Sequence, residues 1–182
     1  MKIPIVLSTI LICFLSSVKA QTDSINADTI KILKKNTMFI EFGGNGMLYS
    51  ANYDRFFKIS NRFNASLRIG FHYSRNFNKN GIQLIGLPVE MSALYSIYKK
   101  KHFIELGTGV TYLNQEDVNS KVVVDLFILA LRVGYRYQSP NGGFFLKIGF
   151  TPLYDLFVIN PERGVKYHTW VLWGGIGIGY TF

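Results

Sequence analysis

The stretch KVVVDLFILALRVGYRYQ, Lys121 to Gln138, decides the fold. Read with a period of two, one face offers Phe127, Leu129, Leu131, Val133, Tyr135 and Tyr137. The other offers Ala130, Arg132, Gly134, Arg136 and Gln138. Such alternation predicts a strand, because successive side chains of a strand point to opposite sides. A soluble sandwich or lipocalin-like barrel would turn the apolar face inward and its charges to water. Here the apolar face is broad, while the other carries glycine and isolated charges, too polar for an oily cavity. In a bilayer the preference inverts. Lipid solvates the apolar face, and the sheet closes on itself so that no backbone edge is left unpaired.

The same split recurs along the chain. Leu67, Ile69, Phe71 and Tyr73 oppose Ser66, Arg68, Gly70, His72 and Ser74. Ile85, Leu87, Val89, Met91 and Tyr95 oppose Gly86, Pro88, Glu90 and Ser92. Ile104, Leu106, Thr108, Val110 and Tyr112 oppose Phe103, Glu105, Gly107, Gly109 and Thr111. Phe144, Leu146, Ile148, Phe150 and Tyr154 oppose Lys147, Gly149, Thr151 and Asp155. The final run, Tyr167 to Phe182, behaves likewise. Strands are expected near 37–43, 47–58, 62–75, 82–98, 102–113, 121–138, 143–157 and 166–182. The turns at Lys58–Arg62, Tyr98–His102 and Gln138–Gly143 are tight. The connections Arg75–Gly81, Asn114–Lys121 and Val158–Lys166 are longer, as expected of periplasmic turns and outer loops. Reversal at Gly43-Gly44-Asn45-Gly46, good hairpin chemistry, gives eight strands. A single bulged strand over 38–57 is the competing reading, and it would leave an odd number.

The first twenty residues read as a secretory signal peptide, with Lys2 in a positive start, an apolar run from Ile3 to Val18, and Val18-Lys19-Ala20 before cleavage at Gln21. The single Cys13 falls inside that segment, so no disulfide or thiol chemistry is expected of the mature chain. Residues 21–36 read as a flexible periplasmic lead-in and residues 37–182 as the barrel. A formal charge of +9 usually points to nucleic acid. Only 17% of the residues are charged and 15% are aromatic, which argues against a simple basic binder.

The segment FIEFGGNGMLYSANYDRFF (Phe39 to Phe57), the hairpin rhythm and the last strand together resemble the small outer-membrane protein β-barrel domain family of Gram-negative bacteria. That strand ends in Phe182, with Tyr180, Ile178, Ile176 and Gly174 at alternate positions. The resemblance implies that these residues are the signal read by the barrel-assembly machinery. It also implies an outer-membrane location reached by export through the inner membrane.

An eight-stranded barrel is just wide enough for side chains to fill. The inward set is read as Glu41, Asp54, Glu90, Glu105 and Asp155 against Arg68, Arg132, Arg136 and Lys147. Near balance favours a salt-bridged filling over a solute channel, because an unpaired buried charge is costly. His72-Tyr73-Ser74 superficially resembles the His-x-Ser arrangement of outer-membrane lipid A deacylases. Its inward face and the lack of a nearby acid argue against a lipid-modifying hydrolase, so no enzyme activity is expected. No spacing suggests a metal site, and no cofactor is expected. The basic excess gathers at the expected periplasmic end, in Lys31, Lys34, Lys35, Arg55, Lys58, Arg62 and above all Lys99, Lys100 and Lys101. There it would form a collar against anionic headgroups rather than a nucleic-acid patch. The expected role is structural or surface-interacting, with outer-membrane lipids as partners and any surface partner unspecified.

Overall fold

A computed structural model describes residues 34–75, 81–117, 122–159 and 169–182. The expected leader, nearly all of the lead-in and the tips of the three longer connections lie outside these residues. Ten strands follow one another: β1 (Asn36–Gly43), β2 (Tyr49–Lys58), β3 (Phe63–Arg75), β4 (Ile82–Tyr98), β5 (His102–Asp117), β6 (Val122–Gln138), β7 (Gly143–Phe150), β8 (Leu153–Ile159), β9 (Trp170–Val171) and β10 (Gly174–Thr181). All pairings are antiparallel. β6 pairs with β7 over Val133–Gln138 and with β8 over Asp125–Ala130, so β7 and β8 are two halves of one stave. β9 pairs with β8 and β10 with β7, which makes β9 and β10 a second interrupted stave. The ring closes where β1 meets β10, giving a closed eight-stranded antiparallel barrel.

Two expected strands are therefore broken. The first break falls at Thr151-Pro152, where proline has no N–H to give the ladder. The Pro152 carbonyl still accepts from the Leu131 N–H at 3.0 Å, which bridges the gap. The facing break at Leu172-Trp173 is closed by the Thr151 N–H donating to the Trp173 carbonyl at 2.8 Å. The chain does reverse between β1 and β2. The turn, a short 3-10 segment over Gly44–Gly46, is not a surface hairpin tip, because Gly44, Asn45 and Gly46 are all buried. At the β1–β10 seam, Asn36 and Phe182 exchange backbone hydrogen bonds of 2.8 and 3.2 Å, tying the last residue to the first strand.

The two faces of the wall differ as the alternation predicts. Met38, Ile40, Leu106, Val133 and Ile148 are about half exposed on the outside, whereas Glu41, Arg136 and Lys147 are 0% exposed within. Aromatic rings gather at both ends of the outer face. Phe63–Tyr95 and His102–Tyr137 lie at one end, Phe127–Phe157 and Tyr154–Trp170 at the other. Beyond the second set Asp125 accepts from the Tyr112 hydroxyl and the Asn114 amide, each at 2.7 Å, and begins the polar rim.

The hairpin joining β4 to β5 turns through Lys99, Lys100 and Lys101, with Lys99 at φ 46° and Lys100 at φ 53°, both left-handed, and the Lys101 N–H donating to the Tyr98 carbonyl at 3.1 Å. Asn and Gly are the usual residues at such positions. A Cβ in this region costs about 1–2 kcal/mol per residue. Replacing Lys99-Lys100 by Asn-Gly should therefore raise unfolding stability by about 1 kcal/mol or more, read from the midpoint of urea unfolding.

Candidate functional site

The interior is built in three layers. Every strand from β1 to β7 sends at least one charged side chain into the middle layer: Glu41, Asp54, Arg68, Glu90, Glu105, Arg132 with Arg136, and Lys147. All are at most 2% exposed. These four acids and four bases form one connected chain. Arg68 Nη2 meets Glu41 Oε2 and Arg132 Nη2 meets Glu41 Oε1, both at 2.5 Å. Glu90 Oε2 accepts from Arg132 Nε at 3.1 Å and Arg68 Nη1 at 3.4 Å, while its Oε1 takes Lys147 Nζ at 3.0 Å. Lys147 also reaches Glu105 at 3.2 Å, and Arg136 joins Glu105 at 3.8 Å to Asp54, which it holds by a short hydrogen bond. Neutral partners take further donors: Asn52 accepts from Arg68 Nε at 2.9 Å and Ser66 from Arg136 Nη1 at 2.8 Å.

The expected ninth member is a correction. Asp155 shares the inward parity but stands opposite Ile128 near the far rim, half-buried, and accepts from the Thr169 hydroxyl at 3.5 Å. Strand alternation specifies a side, not a height. Without Asp155 the middle layer balances one for one.

Two rings that composition alone did not assign complete this layer. Phe39 and Phe145 pack with centroids 5.0 Å apart. Arg68 and Lys147 lie over Phe39 at 5.3 and 5.5 Å, and Arg136 over Phe145 at 4.9 Å. The negative faces of the rings add a second attraction to cations already paired with carboxylates. Their parity with Glu41 and Lys147 was the available signal. Gly177 on β10 makes room for them, since a Cβ there would come within 3.0 Å of both Lys147 and Phe39.

Apolar layers lie on both sides. Phe56, Leu94 and Phe103 fill the end toward the basic turns. Leu113, Ile128, Ala130 and Leu153, with Met47, Leu84, Leu126 and Trp173 against them, fill the other. The turn between β1 and β2 completes this second layer. Asn45 donates to Glu90 Oε2 at 2.9 Å, its carbonyl accepts from Thr111 Oγ1 at 2.8 Å, and the Met47 carbonyl accepts from the Trp173 indole at 3.2 Å. Gly109 provides the seat, because a Cβ there would stand 2.6 Å from Asn45 Nδ2. Met47 pays in backbone strain, at φ 66°. The charges thus lie between two layers of apolar side chains.

The His72–Ser74 pair lies inside the wall, as its parity requires. His72 Nδ1 contacts the Tyr49 carbonyl, and Nε2 lies 3.1 Å from Ser74 Oγ. The orienting group is a backbone carbonyl, and His72 is 1% exposed beneath the Tyr49 ring. The pair ties the rim of β3 to β2. His102, at the other end, bonds the Tyr135 hydroxyl at 2.6 Å within the outer aromatic set. Of the residues expected to form a barrel-assembly signal, Ile176, Ile178, Tyr180 and Phe182 are exposed on the outer face, and Gly174 begins β10. Lys99, Lys100 and Lys101 sit together at the β4–β5 turn, at the same end as Lys34, Lys35, Arg55, Lys58 and Arg62. Comparison with known family models, curated proteins and solved structures found no match to this chain.

Two outcomes follow for variants read by urea unfolding. Arg136→Met leaves Asp54 buried without its guanidinium and should cost about 3–5 kcal/mol, whereas Arg136→Met with Asp54→Leu should recover most of that loss. Asn45→Ala should cost about 2 kcal/mol, the value of a hydrogen bond to a charged group, and shift the Trp173 emission as the turn loosens. An unchanged Trp173 spectrum would mean that the turn does not depend on Asn45.

Proposed function

We propose that this chain is an integral outer-membrane β-barrel of a Gram-negative bacterium, with a structural or surface-interaction role and no catalytic step. One observation carries the reading: an apolar belt wraps the outside while the charges are sealed within. On β6 the outward run from Phe127 to Tyr137 is roughly 33 Å long at ~3.3 Å per residue. A tilt of ~40° turns that into about 25 Å of height, the thickness of the apolar band on outer-membrane barrels. An exposed belt of this extent around a water-soluble monomer would be an aggregation site.

The remaining parts fit that reading. Residues 1–20 serve as a signal peptide for export. The outward aromatic pattern Ile176, Ile178, Tyr180 and Phe182 is presented to the barrel-assembly machinery. The end bearing Lys99, Lys100 and Lys101 faces the periplasm and rests on anionic headgroups of the inner leaflet. Keeping lysine at two left-handed positions, where glycine or asparagine would be less strained, supports a use for the charge itself. The partners are outer-membrane lipids, with nucleic acid playing no part.

Membrane fractionation of cells expressing the full chain tests the proposal. The expected result is a detergent-extracted outer-membrane band whose gel mobility changes on heating, together with silence in planar bilayers. Recovery from the periplasm without detergent would overturn the membrane reading. Sustained unitary currents would overturn the filled interior in favour of a narrow solute channel.

A further inference from the structure

On the outer wall a groove of about 750 Å³ runs over β10, β1, β2 and β3. Its cause is one small residue. Ala51 faces outward with Ile40 and Phe71 as its register partners, and Met38, Tyr53 and Ile178 complete the walls. The groove is shallow and open along the wall, and its lining is almost wholly hydrocarbon. Towards the basic end the Tyr53 hydroxyl donates to Asn36 Oδ1 at 2.8 Å and forms the lower lip.

Directly below that lip the chemistry changes sign. Arg55 is the next outward residue of β2 after Tyr53 and pairs in register with Asn36. Its guanidinium lies 6.0 Å from the Phe57 ring. The backbone of Lys35 runs alongside, its carbonyl accepting from the Phe56 N–H at 2.8 Å. The one acid of this part of β2, Asp54, points into the lumen and is held by Arg136. Ala51 and Arg55 are four residues apart, roughly 13 Å along an extended strand, the span from a lipid phosphate to the middle of its acyl chain.

We infer that this face is a binding site for one anionic glycerophospholipid of the inner leaflet, its phosphate on Arg55 and one acyl chain in the Ala51 groove. The site rests on the membrane reading above and goes beyond it. The collar attracts headgroups collectively, whereas a groove joined to a cation at its lower lip selects a single molecule with a defined position.

The test uses the full chain, expressed and reconstituted with phosphatidylglycerol or phosphatidylcholine and then examined by native mass spectrometry from detergent. Wild type should retain one phosphatidylglycerol per barrel in preference to phosphatidylcholine. Arg55→Gln should cut retention about fivefold, as expected for one basic group at the membrane surface. Ala51→Leu fills the groove without touching a charge and should cut it about tenfold through lost chain contact. Leu131→Ala, on the far wall, should change nothing. Equal retention of the two lipids, or undiminished retention by Ala51→Leu, would overturn the site. Wild type that fails to float with vesicles would sink both the site and the membrane reading. A floating, heat-modifiable barrel that keeps no lipid would sink the site alone.

Discussion

Everything in this barrel depends on the requirement that charge removed from water be matched by opposite charge and by hydrogen bonds. Glu41, Asp54, Glu90 and Glu105 meet Arg68, Arg132, Arg136 and Lys147 in a single chain of ion pairs. Such pairs add little net stability over a well-packed apolar filling, because desolvation offsets the attraction. What they supply is register. A one-residue slip of β6 would turn Arg132 and Arg136 to the outer face, leaving Asp54 without its guanidinium and Glu41 with Arg68 alone, so alternative pairings of the strands are penalised.

The layers above and below serve that same requirement. Phe56, Leu94 and Phe103 at one end, and Leu113, Ile128, Ala130 and Leu153 at the other, enclose the charges in hydrocarbon, where each correct contact is stronger and each wrong one more costly. The Gly44–Gly46 turn belongs to this enclosure. It accepts the strain at Met47 because it delivers an amide to Glu90 and a carbonyl to Thr111. Outside, the wall shows the reverse preference, and the chemistry of its two ends differs. Lys34, Lys35, Arg55, Lys58, Arg62 and the lysine turn crowd one end. Glu116, Asp117 and Asp125 lie with Arg75 at the other.

Much of this was legible in the residues. Arg132 and Arg136, four apart in an alternating run, announce two inward charges on one strand, and both are fully buried. Pro152 carries the signal for the break in its stave, though alternation on both sides concealed it. The inward rings Phe39 and Phe145 could have been read from their parity with Glu41 and Lys147. Asp155 could not have been separated from the central layer in that way, since its height depends on the stagger of β8 against β6. Nor could the inward fold of the β1–β2 turn, because Gly-Gly-Asn-Gly suits an outward hairpin equally well. Its direction is decided by the seat at Gly109, on a distant strand.

The sequence by itself determined the class of fold and the side on which nearly every side chain stands, while the reversal between β1 and β2, and with it the eighth stave, came from the structure. Class and facing are local properties: pleating sets them residue by residue, and turn chemistry separates the runs. The tertiary structure decided which charge meets which. Arg136 finds Asp54 across 82 positions of chain, and Arg132 finds Glu41 across 91. Those meetings are set by closure and stagger of the ring, which bring opposite walls within reach of an arginine side chain. The groove over Ala51 has the same origin. A small residue is visible in any sequence, but only the pairing of β2 with β1 and β3 surrounds it with Ile40 and Phe71, making a site of a missing side chain.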